Sequence, residues 1–282
     1  MSSSSGKKYD FSGKVALVTG SSSGIGAAIA LQFAQYGAQV TITVTITGRD
    51  AAALESVAKR IEAETSHQPL QIVGNLLDQS LPAKLIDGTI SKYGRLDFLI
   101  NNAGFSTPHK DIHDEKLMEA FDQVYGINVR AVVQLSQLAA THLEKSKGNI
   151  INISSCASLI PLHIIYSSSK AALDMITKTM AMEFGKKGVR VNSINPGPVS
   201  TQFMRSVGMS AAFFSENEEF TKELTLLKFV AQPDDIANLA SFLASDDARN
   251  ITGSIVVSDT GSMLAPKVDF KKLNELKKKQ NN

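Results

Sequence analysis

The chain has 282 residues, 43% hydrophobic and 20% charged, with 19 Gly, 8 Pro, one Cys and no Trp. This is the balance of a globular protein with a sizeable core, and it excludes bulk disorder, a collagen repeat and a disulfide scaffold. The net charge of +2 is uneven: Lys7, Lys8 and six lysines within 267–282 leave an acidic body between basic ends, the pattern of solvated tails and not of a nucleic-acid-binding face.

Residues 1–9 read as a flexible tail, 10–266 as one dinucleotide-binding α/β domain and 267–282 as a lysine-rich tail. Within that domain, residues 15–19 form a β-rich run, and 27–33 carry Ala, Ile, Leu and Phe at helical spacing. Residues 40–47 alternate as a strand and contain a tandem repeat, Val40-Thr-Ile-Thr followed by Val44-Thr-Ile-Thr. Four is an even number, so a longer strand would keep its two faces, whereas a bulge would absorb the insertion. A helix is expected over 51–63, strands over 70–73 and 98–100, and a long helical region over 117–143. Strands over 150–153, 189–194 and 255–257 then alternate with helices over 166–184 and 236–243. Such alternation builds βαβ units, and right-handed crossovers make them a doubly wound parallel sheet with helices on both faces.

The turn after the first strand is Thr19-Gly-Ser-Ser-Ser-Gly-Ile-Gly26. Its glycines let the backbone bend tightly and approach a ligand, and the helix that follows offers unpaired N–H groups to a pyrophosphate. Gly20, Ser22, Ser23, Gly24, Ile25 and Gly26 are therefore candidate cofactor-binding residues. No Gly-x-x-x-x-Gly-Lys-Ser/Thr pattern occurs, which disfavours a P-loop nucleotidase. At the end of the second strand Gly48 stands where an NAD enzyme carries an acid, and Arg49 follows. A planar guanidinium suits a 2′-phosphate, so NADP(H) is expected, with NAD(H) the alternative and Asp50 a helix cap. Tyr166-Ser-Ser-Ser-Lys170 sets a phenol and an ammonium on one helix face, and the strand over 150–153 runs into Ser154-Ser155 at the sheet edge where ligands bind.

With these motifs, and with Asn101-Asn-Ala-Gly104, Asn128 and Asn195-Pro-Gly-Pro-Val-Ser-Thr201, the chain resembles the short-chain dehydrogenase/reductase family over roughly residues 10–265. The resemblance implies that Tyr166 is the general acid for a carbonyl oxygen and that Ser155 hydrogen-bonds that oxygen. It implies that Lys170 lowers the Tyr166 pKa and binds the nicotinamide ribose, and that Asn128 holds a water relaying protons to Lys170. Asn75 and Leu76 would meet adenine, and Asn101, Asn102, Ala103 and Gly104 the adenosine side. Pro196, Gly197, Val199 and Thr201 would flank the nicotinamide. Dimers or tetramers are implied through the helices near 117–143 and 166–184 and the last strand. Two departures stand out: an 11-residue gap between Ser155 and Tyr166, which bears on Ser154 against Ser155, and Asn75 where the family usually has Asp.

Other side chains read more simply. His109 and His113 lack a third ligand, so no metal is expected. His163 lines a pocket or the surface, and Cys156 is a small buried side chain. Met204, Met209, Phe213 and Phe214 are core, or an apolar lid over an apolar substrate of the kind the resemblance implies. One cysteine, no apolar stretch of about 18 residues and no signal-like N-terminus point to the cytoplasm, without a membrane partner. The expected activity is an NADP(H)-dependent interconversion of a medium-sized apolar ketone or aldehyde and its alcohol. Its rivals are the same chemistry with NAD, a catalytically silent dinucleotide-binding regulator, and a nucleic-acid binder acting through the tail.

Overall fold

Central parallel strands have no solvent face, and here they are apolar runs buried along their whole length: Val15–Val18, Phe98–Asn101 and Asn149–Ile153. The computed structural model describes residues 8–44, 51–108, 111–207, 210, 216–217, 220 and 223–265. In chain order these give β1 (Val15–Val18), α1 (Gly24–Gln35), β2 (Gln39–Val44), α2 (Ala51–Thr65), β3 (Leu70–Val73), α3 (Leu81–Tyr93) and β4 (Phe98–Asn101). Next come α4 (Leu117–Tyr125), a π turn (Gly126–Arg130), α5 (Ala131–Ser146), β5 (Asn149–Ile153), a 3₁₀ turn (Cys156–Leu159) and α6 (Tyr166–Gly185). The chain continues through β6 (Arg190–Pro196), a 3₁₀ turn (Gln202–Val207), α7 (Pro233–Ala244) and β7 (Ile255–Ser258).

The seven strands form one parallel sheet in the order β3-β2-β1-β4-β5-β6-β7. The order reverses between β1 and β4, and in such sheets ligands bind beyond the carboxyl ends of the strands at that switch point. Alternation along β1 divides the core: Ala16 and Val18 pack with Ile29 and Phe33 of α1 and Ile236 and Ala240 of α7, whereas Leu17 packs with Leu85 of α3 and Leu135 of α5.

Three features go beyond the sequence reading or differ from it. The helix α3, unassigned from sequence, presents buried Leu81, Leu85, Ile86 and Thr89 at helical spacing although it contains Pro82 and Gly88. The helical region over 117–143 is continuous but includes a π turn, in which the Ala131 N–H reaches back to the Gly126 carbonyl. The folded body begins before residue 10, because Tyr9 stacks on Phe11 and meets the edge of Tyr36. The repeat beyond Val44, Arg49 with its neighbours, and the tails over 1–7 and 266–282 lie outside the described residues.

Candidate active site

The glycine turn leaves β1 at Thr19 and enters α1 at Gly24. Gly20 adopts φ +63°, and a Cβ there would stand 2.8 Å from Ala103 Cα. A Cβ on Gly26 would overlap the Gly20 carbonyl and the Asn102 amide, while one on Gly24 (φ +56°) would stand 3.1 Å from Thr201 Cγ2. These positions need glycine for close backbone approach. Asn102 holds the turn in shape: its Nδ2 donates to the carbonyls of Thr19 and Gly20, each at 2.9 Å. Thr19 Oγ1 accepts the N–H groups of Asn102 and Ala103. Ser23 adopts extended backbone before α1 and its side chain caps nothing, so the first-turn N–H groups are not taken by that hydroxyl. A backbone cradle at a helix N-terminus fits a pyrophosphate, with half-buried Ser22, Ser23 and Ile25 at its rim.

The residues expected to flank a cofactor divide into lining and supporting groups. Asn101 is corrected: it is buried within the sheet, with its Nδ2 on Asn152 Oδ1 at 2.9 Å, and does not line the crevice. Asn75 Oδ1 accepts the Leu77 N–H at 3.0 Å, and the Leu76 side chain is buried in the core against α3 and α5, leaving its backbone for a ligand. At the end of β6, a Cβ on Gly197 would overlap Asp259, and Val199 bridges Ala231. Pro196 ends the strand, and Thr201 lies against Gly24. The segments after β1, β4 and β6 thus converge on one crevice.

Beyond β5, Ser154 turns inward and donates its hydroxyl to the Lys170 carbonyl at 3.2 Å. Ser155 begins the 3₁₀ turn and accepts the Ala157 N–H at 3.1 Å, and its hydroxyl lies close enough to the Tyr166 phenol to favour the phenolate. It is therefore Ser155 that stands at the phenol. Tyr166 opens α6, and Lys170, one turn on, is buried with Nζ donating to the Ile153 carbonyl at 2.9 Å and 5.8 Å from the Tyr166 ring centre. A Cβ on Gly104 would lie 3.4 Å from Lys170 Nζ. Asn128 sits inside the π turn, fully buried; its Oδ1 accepts the Phe105 N–H, and its Nδ2 donates to the Phe105 carbonyl and to Ser169 Oγ. Both Nδ2 hydrogens of Asn128 are thus taken by protein partners, while its Oδ1 keeps a second lone pair.

Burial pushes the Tyr166 phenol well above its ordinary range, against the lowering hydrogen bond from Ser155 and with a further rise from Cys156. Burial also brings Lys170 down to about 8, opposed by the charge of Asp174. A shallow cleft lined by residues 106–108 and 163–166 opens at Tyr166, whose ring meets Phe203 at 5.6 Å.

His163 lines this cleft, and Cys156 is a half-buried thiol raised by burial and by Asp259. Among the described residues no group of three or more His, Cys, Asp or Glu could hold a metal, and no helix is long and apolar enough to cross a membrane. His109, Met209, Phe213 and Phe214 lie outside the described residues. Sequence reasoning missed Asp174 beside this site; an acid four residues beyond Lys170 on the same helix was the available signal.

The family model described as "Enoyl-(Acyl carrier protein) reductase" matches residues 20–263. The chain is 36% identical over 271 residues to a versicolorin reductase of Emericella nidulans, covering 92% of this chain and 99% of that protein. Its fold is similar to L-sorbose reductase from Gluconobacter frateurii, solved with NADPH and L-sorbose (TM-score 0.81, 29% identity, 91% of this chain and 99% of that one). It is equally similar to a 7α-hydroxysteroid dehydrogenase solved with NADH and 7-oxo glycochenodeoxycholic acid (TM-score 0.81, 31% identity, 93% and 98%).

Proposed function

Because the chain belongs to the short-chain dehydrogenase/reductase family and is an oxidoreductase of carbonyl and alcohol groups, we propose that it is an NADP(H)-dependent carbonyl reductase. The reaction is reversible to alcohol oxidation, and its substrates are medium-sized, apolar ketones or aldehydes. The observation that carries this reading is the Tyr166 ring with the buried Lys170 amine 5.8 Å from its centre, beside the turn that carries Ser155 in the crevice beyond the sheet.

The dinucleotide, when bound, supplies the hydride chemistry. The cradle of Gly20, Ser22, Ser23, Gly24, Ile25 and Gly26 holds the pyrophosphate, and Asn75, Leu76, Ala103 and Gly104 lie toward the adenosine, with Asn102 holding the turn. Pro196, Gly197, Val199 and Thr201 flank the nicotinamide. Ser155 Oγ binds the substrate oxygen and Tyr166 Oη delivers a proton to it, so two donors converge where negative charge develops. Lys170 binds the ribose hydroxyls and, as a cation, stabilises the phenolate left behind. Asn128 fixes Phe105 and Ser169 beside the route by which Lys170 is reprotonated.

NADP(H) preference rests on Gly48 and Arg49, and the apolar substrate on Phe203 and the isoleucines of the cleft. Solved relatives carry either NADPH or NADH, so the experiment is a parallel one. Following NADPH and NADH oxidation over a structured carbonyl panel should give faster turnover with NADPH, and Arg49→Ala should weaken NADPH binding while sparing NADH. Cofactor binding with no turnover of any carbonyl would instead identify a silent dinucleotide-binding protein.

A further inference from the structure

Tyr166, Lys170 and Asp174 recur every four residues along α6 and so share one of its faces. Asp174 is 8% exposed and packs against β6, where its Oδ2 accepts Asn195 Nδ2 at 2.8 Å and its Oδ1 accepts the Ser193 hydroxyl at 3.4 Å. Ser193 Oγ is also 2.7 Å from Asn195 Oδ1. The same Asn195 Nδ2 reaches the Ser155 carbonyl at 3.2 Å and Ser158 Oγ at 3.0 Å. One buried carboxylate is thus connected through a single amide to the turn that carries Ser155.

A carboxylate taken out of water needs compensation, and its hydrogen-bonding partners here are neutral. The cation nearest it along the helix is Lys170, one turn earlier on the same face, whose amine bonds the Ile153 carbonyl and not this carboxylate; the two act on each other by charge, and burial of the amine opposes that influence. The other titratable group beside Lys170 is Tyr166 on α6, and Cys156 on the 3₁₀ turn acts on that phenol, with Asp259 beyond β7 acting on Cys156. None of these supplies a negative charge to Lys170 at neutral pH as Asp174 does. We propose that Asp174 is a positioning residue with two arms: its charge keeps Lys170 cationic within the protein interior, and its bond to Asn195 fixes the turn that presents Ser155. The inference rests on the reductase reading for its consequence, but its electrostatic arm is a property of the protein alone.

The test is the titration of Lys170, followed by the ¹³C resonance of its ε-carbon in lysine-labelled protein without cofactor and assigned with Lys170→Met. The wild-type midpoint should lie near 8. In Asp174→Asn, which keeps the shape but loses the charge and turns one of its two acceptors into a donor, it should fall by about one unit or more, and Asp174→Glu should restore it. Asp174→Ser replaces the Asn variant if a thermal melt shows the latter unfolded. A midpoint unchanged on loss of the charge overturns the electrostatic arm, whereas a purely structural role would move the melt and not the midpoint. Asn195→Ser should lower kcat for the best carbonyl of the panel by about tenfold or more through misplacement of Ser155, with NADPH affinity little changed. An unchanged kcat overturns the second arm. A shifted midpoint in a protein that turns over no carbonyl would sink the reductase reading and leave the charge coupling standing.

Discussion

At Lys170, burial favours the neutral amine and Asp174 favours the ammonium, and the balance leaves the group near 8. The lysine is cationic below that value and neutral above it, so carbonyl reduction should fall as pH rises through about 8. A pH profile of kcat/KM with NADPH checks this, and a flat profile up to pH 9 would deny Lys170 its role. Stability carries the same signature with a definite sign. The unfolded lysine binds a proton up to about 10.5 and the folded one only to about 8, so the cost of the buried charge is full below 8 and vanishes above 10.5. Lys170→Met should therefore be more stable than wild type at pH 7, by about 1–3 kcal/mol, with the gain shrinking toward pH 10.5. Urea unfolding at pH 7 and 10 measures it. Tyr166, raised by burial, remains protonated throughout this range and is available as an acid.

Among the elements, the glycine turn and the π turn act as rigid supports for these side chains. A Cβ at Gly26 would meet backbone as well as the Asn102 amide, so Gly26→Ala should weaken NADPH binding about tenfold or more, measured by fluorescence titration. Asn128→Ala would strip the Phe105 N–H and carbonyl of their side-chain partners and should cost about 2–4 kcal/mol in a denaturation experiment. What the sequence revealed here was whatever local periodicity or spacing encodes: the buried strands, the glycine turn, the Tyr166–Lys170 helix face. The helix α3 escaped because Pro82 and Gly88 disguise a face built on Leu81, Leu85 and Thr89. The π turn escaped because its cause is tertiary: Asn128 is drawn to a backbone 23 residues away. Asn101 and Asn102 are adjacent in one motif, yet pleating sends the first into the sheet and leaves the second to brace Gly20. Asp174 and Asn195 are 21 residues apart and meet because α6 packs on β6, which spacing alone does not disclose.

For the molecule as a whole, the sheet order sets the crevice between the segments after β1 and β4, and a ligand bound there stabilises the folded state by mass action. At 100-fold excess over its Kd a bound dinucleotide should add about 2.7 kcal/mol, so at equal concentrations NADPH should raise the melting temperature more than NADH if Arg49 meets the 2′-phosphate. The outer faces of α5 and α6 expose Val133, Leu138, Met175 and Met182, with Met182 73% exposed. We propose that they pair between copies as a tetramer or dimer, and sedimentation velocity should show no major monomer at micromolar concentration. The most direct measurement is single-turnover NADPH oxidation by Tyr166→Phe beside wild type, with NADPH affinity determined on the same samples. The predicted result is NADPH affinity within about twofold and a rate lowered by about 10²-fold or more. A near-normal rate in the Phe variant would contradict the assignment of Tyr166 as the proton donor.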